Sequence, residues 1–172
     1  MISDFRLTDA ALTFGGTLLN PDCEFNQVSI DSRNFADGDL FVAIKGERFD
    51  AHKFLGEIAT KASGLVVNIP DKSLPIPQWV VEDTTEALGQ LARMNRDRFE
   101  GQLIAVTGSS GKTSVKEMIA AIFSQGAKVH ATKGNLNNHI GVPLTLLTMD
   151  ASADIAVIEM GASDAGEIAY LC

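Results

Sequence analysis

Two hydrophobic rhythms alternate along this chain. FRLTDAALTFGG (Phe5 to Gly16) spaces its apolar residues three to four apart and ends on two glycines, which predicts a helix. QVSID (Gln27 to Asp31), DLFVAI (Asp39 to Ile44), GLVVN (Gly64 to Asn68) and QWVVE (Gln78 to Glu82) are short, rich in β-branched residues and bounded by turn formers, as strands are. AHKFLGEIAT, between the second and third of these, has helical spacing. NIPDKSLPIP holds three of the five prolines, so it is expected to be a loop. These elements make a first α/β unit ending near Glu82. DTTEALGQLARMNRDRF then opens on an Asp/Thr cap and keeps Leu88, Leu91 and Met94 on one helical face, as a connector helix would.

A second unit follows: strand QLIAVT, a glycine loop, helix KTSVKEMIAAIFSQ, strand AKVHAT, a polar loop and strand DIAVIEM. The predicted organisation is therefore an α/β domain over 1–83 and the first part of a second, parallel α/β domain over 84–172. Strands alternating with helices place both in the parallel α/β class, which constrains the fold and not yet the chemistry. No internal repeat or low-complexity segment interrupts the pattern.

Composition narrows the partners. The 172 residues carry a formal net charge of -8, which leaves no basic stripe for nucleic acid or an anionic membrane. An anionic ligand must then be held by local donors. Cys23 and Cys172 are far apart and form no CxxC, so neither a disulfide framework nor a zinc site is indicated, and a reducing cytoplasm is the expected home. MISDFRLTDAALTFGG lacks the apolar core of a signal peptide, and no apolar run approaches the roughly 18 residues that span a bilayer.

The most informative stretch is AVTGSSGKTSVKEM, Ala105 to Met118. A strand delivers the chain to a loop where Gly108 and Gly111 let backbone N–H groups approach an anion closely. The next helix adds its unpaired N-terminal N–H groups and the positive end of its dipole. Gly108, Ser109, Ser110, Gly111, Lys112, Thr113 and Ser114 thus form a candidate phosphate cradle. Lys112 is placed to reach the β- and γ-phosphates of a nucleotide, and the Thr113 hydroxyl to ligate Mg²⁺. The common pattern G-x-x-x-x-G-K-[ST] asks for glycine at 106, where this chain has Val106, so the match is to a shorter loop, T-G-S-S-G-K-T.

DIAVIEM ends its apolar run in Glu159. A strand beside the cradle strand would bring that acid to the carboxyl end of the sheet, where open α/β sheets bind ligands and where a carboxylate can hold Mg²⁺. Between the two lies KGNLNNHIGVPLTLL, in which Asn135, Asn137 and Asn138 offer uncharged donors and acceptors. They suit a loop facing a polar substrate, or equally a turn capping a helix after Pro143. His52, His130 and His139 are isolated and receive no role.

VTGSSGKTSVKEM, GNLNNHIGVPLTLL and AVIEMGASDAGEIAY, with SIDSRNFADGDLFVAIKGERFDAHKF upstream, resemble the Mur ligases of peptidoglycan synthesis over nearly the whole chain. The resemblance implies an ATP- and Mg²⁺-dependent cytoplasmic ligase. It would phosphorylate the terminal carboxylate of a UDP-linked muramoyl peptide and let an amine attack the acyl phosphate. GERFDAH and GNLNN liken it most to the family member that joins D-alanyl-D-alanine to UDP-N-acetylmuramoyl-tripeptide. It further implies that Gly108 to Ser114 bind ATP, that Thr113 and Glu159 hold the metal, and that Lys112 and Glu159 serve catalysis. In the first unit, Ile30, Ser32, Glu47, Arg48 and Phe49 match positions lining the uridine site, and Arg33 and Lys45 are candidate positive charges or plain surface residues. After Gly161-Ala162 the family pattern continues Asn-His, whereas this chain has Ser163-Asp164.

By the same resemblance a further ATPase segment and a C-terminal domain are expected downstream. The chain is then expected to be an N-terminal fragment that binds without ligating, with an interrupted sheet leaving edge and face exposed. Two other readings stay open: another amide ligase of the superfamily, either the one that adds the third amino acid or folylpolyglutamate synthase, or a non-catalytic module that captures a UDP-sugar peptide.

Overall fold

The computed structural model describes residues 1–2, 4–46, 50–163 and 165–172. The chain divides into two compact units, one of Ser3–Gln90 and one of Met1–Ile2 with Leu91–Cys172.

The first unit opens with β1 (Phe5–Arg6), α1 (Leu7–Phe14), β2 (Thr17–Leu19), β3 (Glu24–Phe25), β4 (Val28–Ser29) and β5 (Leu40–Val42). A 3₁₀ turn over Ala51–Phe54 runs into α2 (Leu55–Ile58), followed by β6 (Gly64–Val67) and β7 (Gln78–Val80). Five strands form one sheet in the order β2-β7-β6-β5-β4, parallel except for β2, which pairs antiparallel with β7. All four residues of β6 are buried, the signature of a parallel strand covered on both faces. Phe41, Leu65 and Val67 pack with Leu55 and Ile58 of α2 into the core of this unit. Trp79 is fully buried and donates its Nε1–H to the Gly15 carbonyl at 2.9 Å. Gly16 lies at φ +84, where a Cβ would meet Trp79 Nε1 at 2.6 Å, so only glycine passes beneath the indole.

The second unit shares α3 (Thr84–Asp97) with the first and adds β8 (Gln102–Val106), α4 (Lys112–Phe123), β9 (Val129–Ala131), α5 (Gly141–Leu147), β10 (Ile155–Glu159) and α6 (Glu167–Leu171). Asp83 Oδ1 caps α3 by accepting from the Thr85 and Glu86 N–H groups at 2.6 and 3.2 Å. Its strands form a parallel sheet, β8-β10-β9, whose central strand β10 is buried at every residue. Register sets Glu159 opposite Val106, so both strands deliver their C-terminal ends to one place. β8 lies at the sheet edge, and Val115, Met118 and Ile122 on α4 are exposed.

Several boundaries differ from those the sequence predicts. The first helix begins at Leu7, because Phe5 and Arg6 pair antiparallel with Phe25 and Glu24 and the Phe5 and Phe25 rings stack at 6.0 Å. The division between the units falls inside α3 and not at its start. The helix expected after Pro143 starts at Gly141. Proline is tolerated as its third residue because the first-turn N–H groups have no intrahelical partner.

Candidate functional site

The end of β8 makes a cradle from purely local features. Val106, where the longer motif has glycine, is a buried strand residue paired with Glu159. The loop opens after it: Gly108 has φ +147 and Gly111 has φ +73, both costly for a residue with a Cβ. Gly111 caps α4, Lys112 is its first residue, and Gly108, Ser109, Ser110 and Gly111 are all exposed. The Lys112 ammonium folds back to donate to the Gly108 carbonyl at 2.7 Å. Lysine and cradle thus occupy one spot, with the charge held on a flexible stem that a phosphate can recruit.

Glu159 closes the other side. It is 1% exposed, and its Oε1 accepts from the Thr113 hydroxyl at 3.2 Å and from the Asn137 amide at 2.8 Å. Residues 46 and 22 positions away in sequence therefore meet on one carboxylate oxygen. Its Oε2 is buried without a hydrogen-bond partner among the described residues. A buried carboxylate oxygen left unpaired is expensive, and a bound cation is one group that relieves it. No cluster of three or more His, Cys, Asp or Glu suited to a metal occurs among the described residues. The donor set is one hydroxyl and one carboxylate, which suits Mg²⁺, a hard cation that completes its octahedron with phosphate oxygens and water. The residues present fit that ion.

The asparagine loop is built to present Asn137. Asn138 Oδ1 accepts from the Gly141 and Ile140 N–H groups at 2.8 and 3.2 Å, capping α5. The Asn137 carbonyl accepts from the Gly161 N–H at 2.7 Å, which ties the loop to the chain just beyond β10. Asn135 is exposed in the same loop. Asn138 thus takes the helix-capping alternative, while Asn137 is aimed at the acid. His130 is pinned by its Nε2 to the Thr145 carbonyl at 2.9 Å, a packing role. Ser114 is exposed on the first turn of α4.

Sequence reasoning missed Lys116. It is 1% exposed, and its Nζ donates to the Thr132 carbonyl at 2.8 Å and pairs with Glu117. Its spacing of three from Thr113 puts both on one helical face, the only signal available in advance.

In the first unit, Ser32 and Arg33 line a hollow of about 660 Å³ with Phe35, Phe54, Ile58 and Lys61. Ile30 is half-buried just before it. Arg33 forks onto Asp31, with Nε and Nη2 each 2.9 Å from a carboxylate oxygen, and this hydrogen bonding holds the Asp31 carboxyl down to about 2. The Arg33 charge is therefore largely matched on its own turn. Lys45 is exposed and bridges to Asp50 through the backbone. Glu47, Arg48 and Phe49, named for the uridine site, lie outside the described residues, as does Asp164.

Residues 106–172 match the Mur ligase middle domain. The chain is 46% identical over 165 residues to the UDP-N-acetylmuramoyl-tripeptide–D-alanyl-D-alanine ligase of Escherichia coli K12, covering 96% of this chain and 36% of that protein. It is 44% identical to the protein of the same name from Bacillus subtilis 168, covering 91% of this chain and 35% of that one. Among solved structures, MurF from Acinetobacter baumannii superposes with a TM-score of 0.89 at 39% identity, covering 99% of this chain and 38% of that one. MurF ligase from Thermotoga maritima in complex with ADP gives 0.79 at 36% identity, over 85% and 34% of the respective chains. The chain thus spans a little over a third of the length of these relatives.

Proposed function

The chain belongs to the Mur ligase family, and from that premise we propose that it supplies the nucleotide cradle and UDP-substrate unit of an ATP-dependent ligase acting in the cytoplasm. That ligase joins D-alanyl-D-alanine to UDP-N-acetylmuramoyl-tripeptide in peptidoglycan precursor synthesis. The observation that carries the reading is the meeting of Thr113 and Glu159, 46 residues apart, at the mouth of a glycine loop ending in Lys112. No helix among the described residues is long and apolar enough to cross a membrane.

The chemistry asked of these residues is electrostatic. The substrate carboxylate attacks the γ-phosphorus and ADP leaves; the incoming amine then attacks the acyl phosphate, phosphate departs and the amine gives up a proton. Crowded phosphate charge must be steadied throughout, a task for fixed donors and cations rather than for a nucleophile. The N–H groups from Gly108 to Ser114 hold the phosphates, and Lys112 swings from the Gly108 carbonyl to the transferring group. Thr113 and Glu159 would hold Mg²⁺, whose charge would offset that of the phosphates. Asn137 keeps the Glu159 carboxylate turned toward Thr113. Asn135 faces the substrate from the same loop, which Asn138 anchors by capping α5.

In the first unit, the hollow beside Ser32 and Arg33 combines two aromatic rings, the Ser32 and Thr60 hydroxyls and a lysine with the acid Glu57, and it is the proposed site for a pyrimidine nucleotide. Ile30 is assigned to the same proposed uridine site; Glu47, Arg48 and Phe49, also proposed for it, lie outside the described residues.

Calorimetry with UDP-N-acetylmuramoyl-tripeptide tests the binding half on the 172-residue chain: weak, saturable binding is expected, and none would remove the role given to the first unit. Phosphate release by the protein at its relatives' full length tests the other half. D-alanyl-D-alanine as the preferred acceptor supports the reading, whereas preference for a single amino acid or glutamate would point to another ligase of the superfamily.

A further inference from the structure

Lys116 is a charged residue where the helix pattern asks for an apolar one. On α4 it stands three residues before Ile119, which packs against the core strands, and three after Thr113 at the site. Its side chain is 1% exposed, while that of its ion-pair partner Glu117 is 66% exposed. Removing an ammonium from water for so solvated a partner is a poor way to gain stability. Hydrogen bonding explains its presence better.

The Lys116 ammonium donates to the carbonyl of Thr132 at 2.8 Å. Thr132, 2% exposed and just past β9, has every polar group engaged: its N–H donates to the Val157 carbonyl at 3.1 Å, and its Oγ1 accepts from the Glu159 N–H at 2.9 Å. One residue thus links a buried cation on α4 to the backbone of the buried acid on β10. The same helix carries Thr113, whose hydroxyl meets the Glu159 carboxylate. The loop is closed: α4 to Thr132, Thr132 to Glu159, Glu159 back to α4.

We propose that Lys116 is a positioning residue for the metal and phosphate site, holding Thr132, and through it Glu159, in place beside Thr113, the two residues that would hold a divalent cation. The proposal rests on the reading of Thr113 and Glu159 as metal-holding residues given above. Lys116 touches neither nucleotide nor metal and acts only through Thr132. Its loss leaves the glycine loop and Lys112 unchanged and loosens the far wall of the site.

The test is calorimetric titration of the 172-residue chain with ADP, once in excess Mg²⁺ and once in EDTA. In Lys116→Met the gain in ADP affinity conferred by Mg²⁺ falls by about tenfold or more, the usual scale for losing a residue that orients a metal ligand, while affinity in EDTA stays within about twofold. Thr132→Val, which removes the hydroxyl but keeps the shape, reproduces that loss. Thr132→Ser, which keeps the hydroxyl but loses the methyl, does not. A purely packing role for this cluster gives the opposite order, with serine worse than valine. Equal loss in Mg²⁺ and EDTA, or no loss, overturns the proposal. If Lys116→Met does not fold by circular dichroism, the order of the two Thr132 variants decides. A wild-type chain that gains no ADP affinity from Mg²⁺ refutes the metal reading itself, a result distinct from a wild-type gain that survives Lys116→Met.

Discussion

Gly141→Ala is a small change with a large expected effect. A Cβ at position 141 would stand 2.5 Å from both the carbonyl carbon and the Cα of Leu136, and 2.9 Å from its carbonyl oxygen. Carbon atoms rest at about 3.5–4.0 Å, so backbone must move by about 1 Å. The segment that moves is the one presenting Asn137 to Glu159. Overpacking of this kind costs about 1–3 kcal/mol. Loosening the Asn137–Glu159 hydrogen bond, a bond to a charged group, adds about 1.5–3 kcal/mol. The better helix propensity of alanine returns at most about 1 kcal/mol. The net loss is then about 1.5–6 kcal/mol, or about 6 °C or more in the melting of a unit of this size. Thermal unfolding followed by far-UV circular dichroism reads it, and fluorescence of Trp79, the single tryptophan, follows the first unit separately. Gly126→Ala is the control, since a Cβ there meets nothing within 4 Å. A Gly141→Ala chain melting within about 2 °C of wild type would refute the reasoning.

Other outcomes follow from the same structure. Glu159→Gln keeps the size of the side chain but removes the charge, so the Mg²⁺ concentration needed for half-maximal nucleotide binding should rise steeply; an unchanged titration would leave Glu159 a structural residue. The Cys23 thiol is pushed up to about 11 by burial, so at pH 8 a disulfide reagent should modify exposed Cys172 promptly and Cys23 only on unfolding; two fast thiols would contradict this. Because the folded Asp31 carboxyl lies at about 2 against an ordinary 3.8, its contribution to stability is complete above pH 4 and is lost as pH falls toward 2; carboxyl NMR should give a midpoint near 2 that climbs toward 3.8 in Arg33→Ala, and an ordinary midpoint in the wild type would refute the fork.

What the sequence makes legible here is what local chemistry decides. The cradle from Gly108 to Thr113 is local, because glycines, lysine and helix start are consecutive. Strands β5, β6 and β10 are legible because buried parallel strands are dense in Val, Ile and Leu. Strands β1, β2 and β3 are not: strands of two or three residues at an edge carry too few positions to show a period. The buried Lys116 is illegible for a different reason. A lysine on a helix normally faces water, and only the tertiary position of the Thr132 carbonyl changes that. On α4 the pattern misleads the other way, since Val115, Met118 and Ile122 share an apolar stripe yet are exposed. The register that brings Glu159 opposite Val106 is likewise set by sheet order, which no local pattern encodes.

The central claim is that the loop from Gly108 to Thr113 and the acid at Glu159 form one nucleotide site. Its most direct test is calorimetric titration of MgATP into the chain and into Lys112→Ala. The wild-type chain should bind saturably with one site, and the variant should bind about tenfold or more weakly, since a charged hydrogen-bond donor to phosphate contributes about 1.5–3 kcal/mol. Equal affinity in the two proteins, or no MgATP binding by the wild type, would contradict the account.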